Sequence, residues 1–284
     1  VNSRLYLEVE DFVVRRKARR LQQRVPRILH IENTNHCNAK CIMCPNFTMS
    51  RSKSFMDDFT YTRAITEAVK FAVPTVSIAS IGEPFLDKKI IGRIAQAKQL
   101  GLEVTTATNG SLIGHKCADA LIDAGLDELQ VSLDAFSKET FQAIRIGLNF
   151  KDVISNIEGF LALRRQRRAK YPKMILRYLS ITQNQQEILK FIRRWQGKVD
   201  DVIISNSHDW CCGVSGVFRG KFHSRNLRRV ACRLIWEELM VHHDGSVVAC
   251  CHDYEGSMVV GNILTQSLVE IWHGESLKRL RKAH

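Results

Sequence analysis

The sequence predicts an α/β protein: a partial (βα)6 TIM-like barrel followed by a small α+β domain. Three observations predict it. Short β-rich runs recur six times between residues 28 and 207. Amphipathic stretches such as TRAITEAVKFA and KKIIGRIAQAKQLG separate them, which implies parallel strands with helices outside. From about residue 209 the pattern changes to a hairpin and a closing helix.

Residues 1–26 form a basic N-terminal helix, because Leu5, Val9, Phe12 and Val13 fall at helical spacing before RRKARR. The strands are ILHIENT (28–34), TVSIAS (75–80), LEVTTATN (102–109), ELQVSLDA (128–135), MILRYLSIT (174–182) and DVIISNS (201–207). Gly101 and Gly125 end helices as left-handed caps. ELMVHHDGSVVACC reads as two strands around an Asp-Gly turn, and SLVEIWHGESLKRLRKA as one closing helix. The barrel is assigned to residues 27–208 and the last domain to 209–284.

Composition narrows the function. Of 284 residues, 45% are hydrophobic, which excludes wholesale disorder. No apolar run approaches the ~20 residues of a membrane span. The opening VNSRLYLEVEDF lacks the unbroken apolar stretch of a signal peptide, so a cytoplasmic location is expected. Nine cysteines then suggest metal or catalysis rather than disulfides. The net charge of +13 is concentrated in RRKARR (15–20), RRQRR (164–168) and KRLRK (278–282). The plain reading is solvated helix faces. The sharper one is an anionic partner, such as a phosphorylated substrate, RNA or a membrane surface met by the N-terminal helix.

In parallel α/β barrels the chemistry sits at the C-terminal ends of the strands. Four polar clusters fall there: HCNAKCIMCPN (36–46), GEP (82–84), TNG (108–110) and SLDA (132–135). Cys37, Cys41 and Cys44 are three soft ligands where a structural zinc site wants four. His36 is adjacent to Cys37 and badly placed to complete a tetrahedron. Three thiolates suit a 4Fe–4S cluster with one iron left open for chemistry.

The loop C-N-A-K-C-I-M-C resembles the cluster-binding loop of the radical S-adenosylmethionine superfamily, with Met43 where an aromatic residue is usual. SIGEPF resembles that family's GGEP stretch, with Ile81 in place of the first glycine. The resemblance implies a cofactor pocket built from Met43, Gly82, Glu83, Asn109, Ser132 and Asp134, with Glu83 taking the ammonium group of S-adenosylmethionine. Ile144 and Arg145 also match family positions. In the tail, Cys232, Gly245 and Cys250 fit C-x12-G-x4-C, similar to SPASM or twitch auxiliary-cluster modules of sugar and aminocyclitol dehydrogenase-type members. That implies a second 4Fe–4S cluster on Cys232 and Cys250, in an auxiliary domain expected to be truncated because no cysteine follows Cys251. Cys211 and Cys212 are the other thiols within reach in sequence. Cys251 should face away from Cys250 along an extended strand, free to pack or to serve as a hydrogen-atom donor.

The resemblance further implies reductive cleavage of S-adenosylmethionine and hydrogen-atom abstraction from a small polar substrate, ending in oxidation or epimerisation. An external electron donor of the flavodoxin or ferredoxin type would supply the reducing equivalent. Peptide modification is the alternative within the family. A non-catalytic iron–sulfur protein that binds nucleic acid is the alternative from another class.

Overall fold

The computed structural model describes residues 25–206 and 232–283. The expected N-terminal helix, apart from its last two residues, and both Cys211 and Cys212 lie outside the described residues.

The first part runs β1 (Ile28–Ile31), β2 (Lys40–Cys41), α1 (Asp58–Lys70), β3 (Thr75–Ser77), α2 (Ile90–Gln99), β4 (Glu103–Thr108) and α3 (His115–Asp123). It continues with β5 (Glu128–Ser132), α4 (Lys138–Ile144), β6 (Arg145–Ile146), α5 (Phe150–Gln166), β7 (Lys173–Ser180), α6 (Ile188–Trp195) and β8 (Asp201–Asn206). All six expected barrel strands form, and they pair in parallel in the order β1-β3-β4-β5-β7-β8. Several stop short of their apolar runs: β1 at Ile31, β3 at Ser77 and β5 at Ser132. The polar side chains beyond those points find partners outside the ladder: Ser80 Oγ donates to Glu32 Oε2 at 3.0 Å, and Asp134 Oδ1 accepts from Leu179 N at 2.6 Å. Gly101 and Gly125 take φ +82° and +76°, the left-handed caps expected of them.

Helix faces bury against the sheet. Tyr61, Ala64, Ile65 and Ala68 of α1 follow helical spacing, and Asp57 caps that helix by accepting from Thr60 N at 2.6 Å. They join one apolar core with Leu29, Ile31, Val104, Leu129, Val131 and Leu176 from alternate strand positions.

The C-terminal part supplies β9 (Glu238–Val241), β10 (Ser246–Val248), β11 (Val259–Asn262), α7 (Leu268–Trp272) and α8 (Glu275–Ala283). The hairpin forms as expected, turning at Gly245 with φ +85°. It does not stand apart from the barrel sheet. β9 pairs in parallel with β1, from Ile28↔Glu238 to Ile31↔Val241, and gives a nine-stranded sheet ordered β11-β10-β9-β1-β3-β4-β5-β7-β8. Without β9, one side of β1 would expose unpaired backbone groups. Val247, Ile263, Leu268 and Trp272 bury in the same core as Leu29.

Two expectations need correction here. The closing helix is two helices, with Gly274 between them. A Cβ at Gly274 would stand 2.8 Å from Glu270 O, so a side chain does not fit the break. KRLRK is not wholly solvated either. Arg281 is buried, donates to Ile235 O and Trp272 O at 3.0 Å each, and lies 4.0 Å over the Trp272 ring. No described helix is long and apolar enough to cross a membrane.

Candidate active site

The loop after β1 carries Cys37, Cys41 and Cys44. Its shape is held by side chains that replace lost ladder bonds. Asn46 Nδ2 donates to Asn35 O (2.8 Å) and Ile81 O (3.0 Å), and Asn35 Nδ2 donates to Ser52 O (2.9 Å). β2 and β6 pair, placing Cys41 opposite Arg145, and Ile42 N donates to Ile144 O at 3.0 Å. All seven described cysteines are free thiols.

Cys41 is buried, and Cys37 and Cys44 are half-buried. Burial pushes the Cys37 thiol up and the Cys44 thiol up to about 12, and each of the two is raised further by the charge of its neighbouring cysteines. The three are close enough to feel one another, yet their sulfurs do not all lie within 4.8 Å of each other. That spread suits the corners of a cluster better than a single ion. A group that binds them must displace their protons.

Gly82 is fixed by close approach. A Cβ there would lie 2.4 Å from Thr34 O, 2.7 Å from His36 O and 2.9 Å from Asn35 Cα, all backbone atoms. The contact brings Glu83 N to His36 O at 2.7 Å. Glu83 is buried and accepts from Thr108 Oγ1 (2.7 Å), Asn109 N (2.8 Å) and Phe85 N (3.3 Å). Burial outweighs these donors and lifts its carboxyl from 4.5 to about 7. Asn109 Nδ2 donates to Asn38 Oδ1 at 2.8 Å, which ties β4 to the cysteine loop.

Asp134 is buried at φ +56°, a left-handed conformation uncommon outside glycine. Its Oδ1 accepts from Leu179 N (2.6 Å), and its Oδ2 pairs with the Arg145 guanidinium, with Nε at 2.9 Å. Arg145 Nη1 donates to Cys41 Sγ at 3.6 Å. Met43 is buried, and Ser132 is half-exposed at the end of β5. The charges of Cys41, Glu83 and Arg145 all bear on Cys37, and that of Arg145 bears on Cys44 and Glu83 as well. The Arg145 bond to Cys41 and the Asn38 bridge were not legible in sequence. Arg145 matches a family position, but its partner Cys41 lies 104 residues away, and Asn38 is one of the three residues between Cys37 and Cys41 that the motif leaves open.

A second cluster of donors lies against β9. Cys232 and Cys250 are close enough that a thiolate at Cys250 raises the Cys232 thiol, which burial raises first. The expectation that Cys250 and Cys251 face apart is wrong, because β10 ends at Val248 and both sit in the turn that follows. The donor atoms of Cys250, Cys251 and His252 all lie within 4.8 Å of one another. A hydrogen bond from Cys251 holds Cys250 down to about 4, while Cys251 is pushed up.

The family model for the radical SAM superfamily matches residues 31–196, and the SPASM model, an iron–sulfur cluster-binding domain, matches 232–284. The chain belongs to the radical SAM superfamily. It carries a SPASM domain as well, and domains of these two kinds bring 4Fe–4S clusters and S-adenosylmethionine as cofactors. A GTP 3′,8-cyclase of Limosilactobacillus fermentum is 32% identical over 178 residues, covering 60% of this chain and 51% of that protein. The chain spans about half the length of the first curated relatives it matches. Among solved structures, BtrN in complex with AdoMet and 2-DOIA matches with TM-score 0.62 at 17% identity, over 91% of this chain and 87% of that one. Streptococcus suis SuiB bound to precursor peptide SuiA matches with TM-score 0.74 at 15% identity, over 90% of this chain and 66% of that one. At such identities the structures show a shared fold.

Proposed function

We propose that this enzyme abstracts a hydrogen atom from a small polar substrate of the sugar or aminocyclitol class, with oxidation or epimerisation as the outcome. The observation that carries the reading is the meeting of three free thiols, a buried carboxyl and a half-buried arginine at one end of the parallel sheet. Cys37, Cys41 and Cys44 would hold the catalytic cluster. When bound, cluster and S-adenosylmethionine together supply an electron and a carbon radical able to take hydrogen from carbon.

The chain's own residues do the rest. Gly82 lets the backbone of the GEP segment pass against the cysteine loop. Glu83, poised near neutrality by burial, ionises against an incoming ammonium group and gives up its proton. Asn109, Met43 and Ser132 line the same end of the strands. Asp134 acts through Arg145, since its carboxylate is already committed to that guanidinium and to Leu179 N. Arg145 in turn offsets negative charge on the cysteine sulfurs.

The substrate class rests on a match that spans most of both chains, to the structure containing AdoMet and 2-DOIA. Peptide modification is the second reading, favoured by the higher TM-score to SuiB with its precursor peptide. The reducing equivalent comes from a one-electron donor of the flavodoxin or ferredoxin type. The deciding experiment is anaerobic reconstitution with iron and sulfide, followed by dithionite and S-adenosylmethionine. 5′-Deoxyadenosine formation is then compared with aminocyclitols, sugars, peptides and GTP. Stimulation by an aminocyclitol or sugar alone supports the proposal, and stimulation by peptides or GTP alone overturns it.

A further inference from the structure

A constellation outside the catalytic loop has no role in that chemistry. His30 Nε2 lies 3.0 Å from Glu238 Oε2, and the donor atoms of His30, Glu238 and Cys251 all fall within 4.8 Å of one another. The three come from separate elements: β1, the start of β9, and the turn after β10. The parallel register aligns Ile28 with Glu238 and His30 with Met240, so His30 and Glu238 sit one diagonal step apart on neighbouring strands. Cys251 closes the set and is hydrogen-bonded to Glu238. All three are half-buried.

We propose that His30, Glu238 and Cys251 bind a divalent transition-metal ion, with zinc favoured by the donors. Imidazole, carboxylate and thiolate are the three ligand types that zinc takes, and three protein ligands leave one position for water or a fourth donor. Binding requires neutral His30, ionised Glu238 and loss of the Cys251 thiol proton to solvent. The carboxylate and thiolate then cancel the 2+ charge, so the occupied site is neutral, which a half-buried position favours. The site uses neither Cys232 nor Cys250, which remain for the auxiliary cluster. It staples the first barrel strand, which leads into the catalytic loop, to the SPASM hairpin. It also withdraws Cys251 from service as a hydrogen-atom donor. The proposal stands whatever the substrate.

The test reconstitutes the full chain anaerobically with iron and sulfide, adds zinc, desalts, and measures zinc per chain together with zinc-edge X-ray absorption, which iron does not obscure. One zinc per chain with one sulfur and otherwise nitrogen or oxygen neighbours is expected. His30→Ala and Glu238→Gln should each weaken retention about tenfold or more, while Cys232→Ser retains zinc. If either of the first two variants fails to fold, judged by circular dichroism, alkylation of the wild-type chain replaces it: zinc should protect Cys251 from the reagent. No retained zinc, a shell of several sulfurs without nitrogen, equal retention in the His30 and Glu238 variants, or an unprotected Cys251 would each overturn the site. In that case the three side chains form a hydrogen-bonded network alone.

Discussion

Glu83→Gln is the perturbation whose size follows most directly from the geometry. The carboxyl is buried and titrates near 7 rather than 4.5. At 1.36 kcal/mol per pH unit, ionising it in place costs about 3 kcal/mol, as an upper figure. The sign follows from proton counting. Between 4.5 and about 7 the folded chain holds the proton that the unfolded chain has released, so folded protein binds more protons and stability falls as pH rises. Above about 7 the full cost is present, and below 4.5 it is absent. Glutamine keeps the volume. Its oxygen can accept from Asn109 N while its amide donates to Thr108 Oγ1; Phe85 N loses its acceptor, a cost that does not vary with pH. Urea unfolding of cluster-free wild type and variant should therefore be compared from pH 4 to pH 8. The variant should gain on wild type by up to about 3 kcal/mol across that range, with most of the change between 4.5 and 7. A difference that stays constant with pH would refute the reasoning, since it would mean the carboxyl titrates in the folded chain as it does in the unfolded one. S-adenosylmethionine affinity gives an independent check: if Glu83 takes the ammonium, binding to the reconstituted wild type tightens as pH rises towards 7, and that dependence vanishes in the variant.

Replacing Cys37, Cys41 and Cys44 together with Ala should abolish 5′-deoxyadenosine formation; residual cleavage by that variant would contradict the assignment of the catalytic loop. Gly82→Ala forces a methyl against three backbone atoms and should cost about 1–3 kcal/mol in urea unfolding, with reduced iron uptake on reconstitution. Wild-type stability and iron content in that variant would show that the close approach is dispensable. Arg51→Ala strands Glu32, which is fully buried and pairs with the Arg51 guanidinium at 2.6 and 3.0 Å, so a loss of about 3 kcal/mol is expected. A loss under about 1 kcal/mol would place the pair among exposed ones. Cys251→Ala, assayed in deuterated water, should leave product identity and label incorporation unchanged, and a loss of label would restore Cys251 as a hydrogen donor.

The alternation of strand and helix was written in local chemistry. Apolar runs of β-formers, amphipathic spacing and helix-ending glycines fix these elements within a few residues, because each depends on neighbours in the chain. So the six parallel strands and the hairpin were legible in the sequence, and so was the loop of three thiols, whose spacing alone marks its chemistry. The strand ends were less legible. Beyond Ile31 the chain turns polar, and beyond Ser77 and Ser132, where apolar residues follow, Asn46 and Asn184 from elsewhere in the chain bond the carbonyls of Ile81 and Asp134.

What the sequence determined by itself was therefore a set of elements, a set of soft ligands and the end of the sheet where they gather. Tertiary structure alone decided how they are joined. β9 pairs with β1 across more than 200 residues of chain, as the register Ile28↔Glu238 records, and no local pattern encodes a partner so far away. The same pairing sets His30 beside Glu238 and Cys251. The turn after Val248 draws Cys250 and Cys251 together where alternation would part them. Arg145 reaches Cys41 because β2 and β6 pair, and Asn109 reaches Asn38 because Gly82 lets two backbones touch. Such contacts depend on which surfaces are left unpaired once the sheet has formed, and burial is settled only by the whole fold.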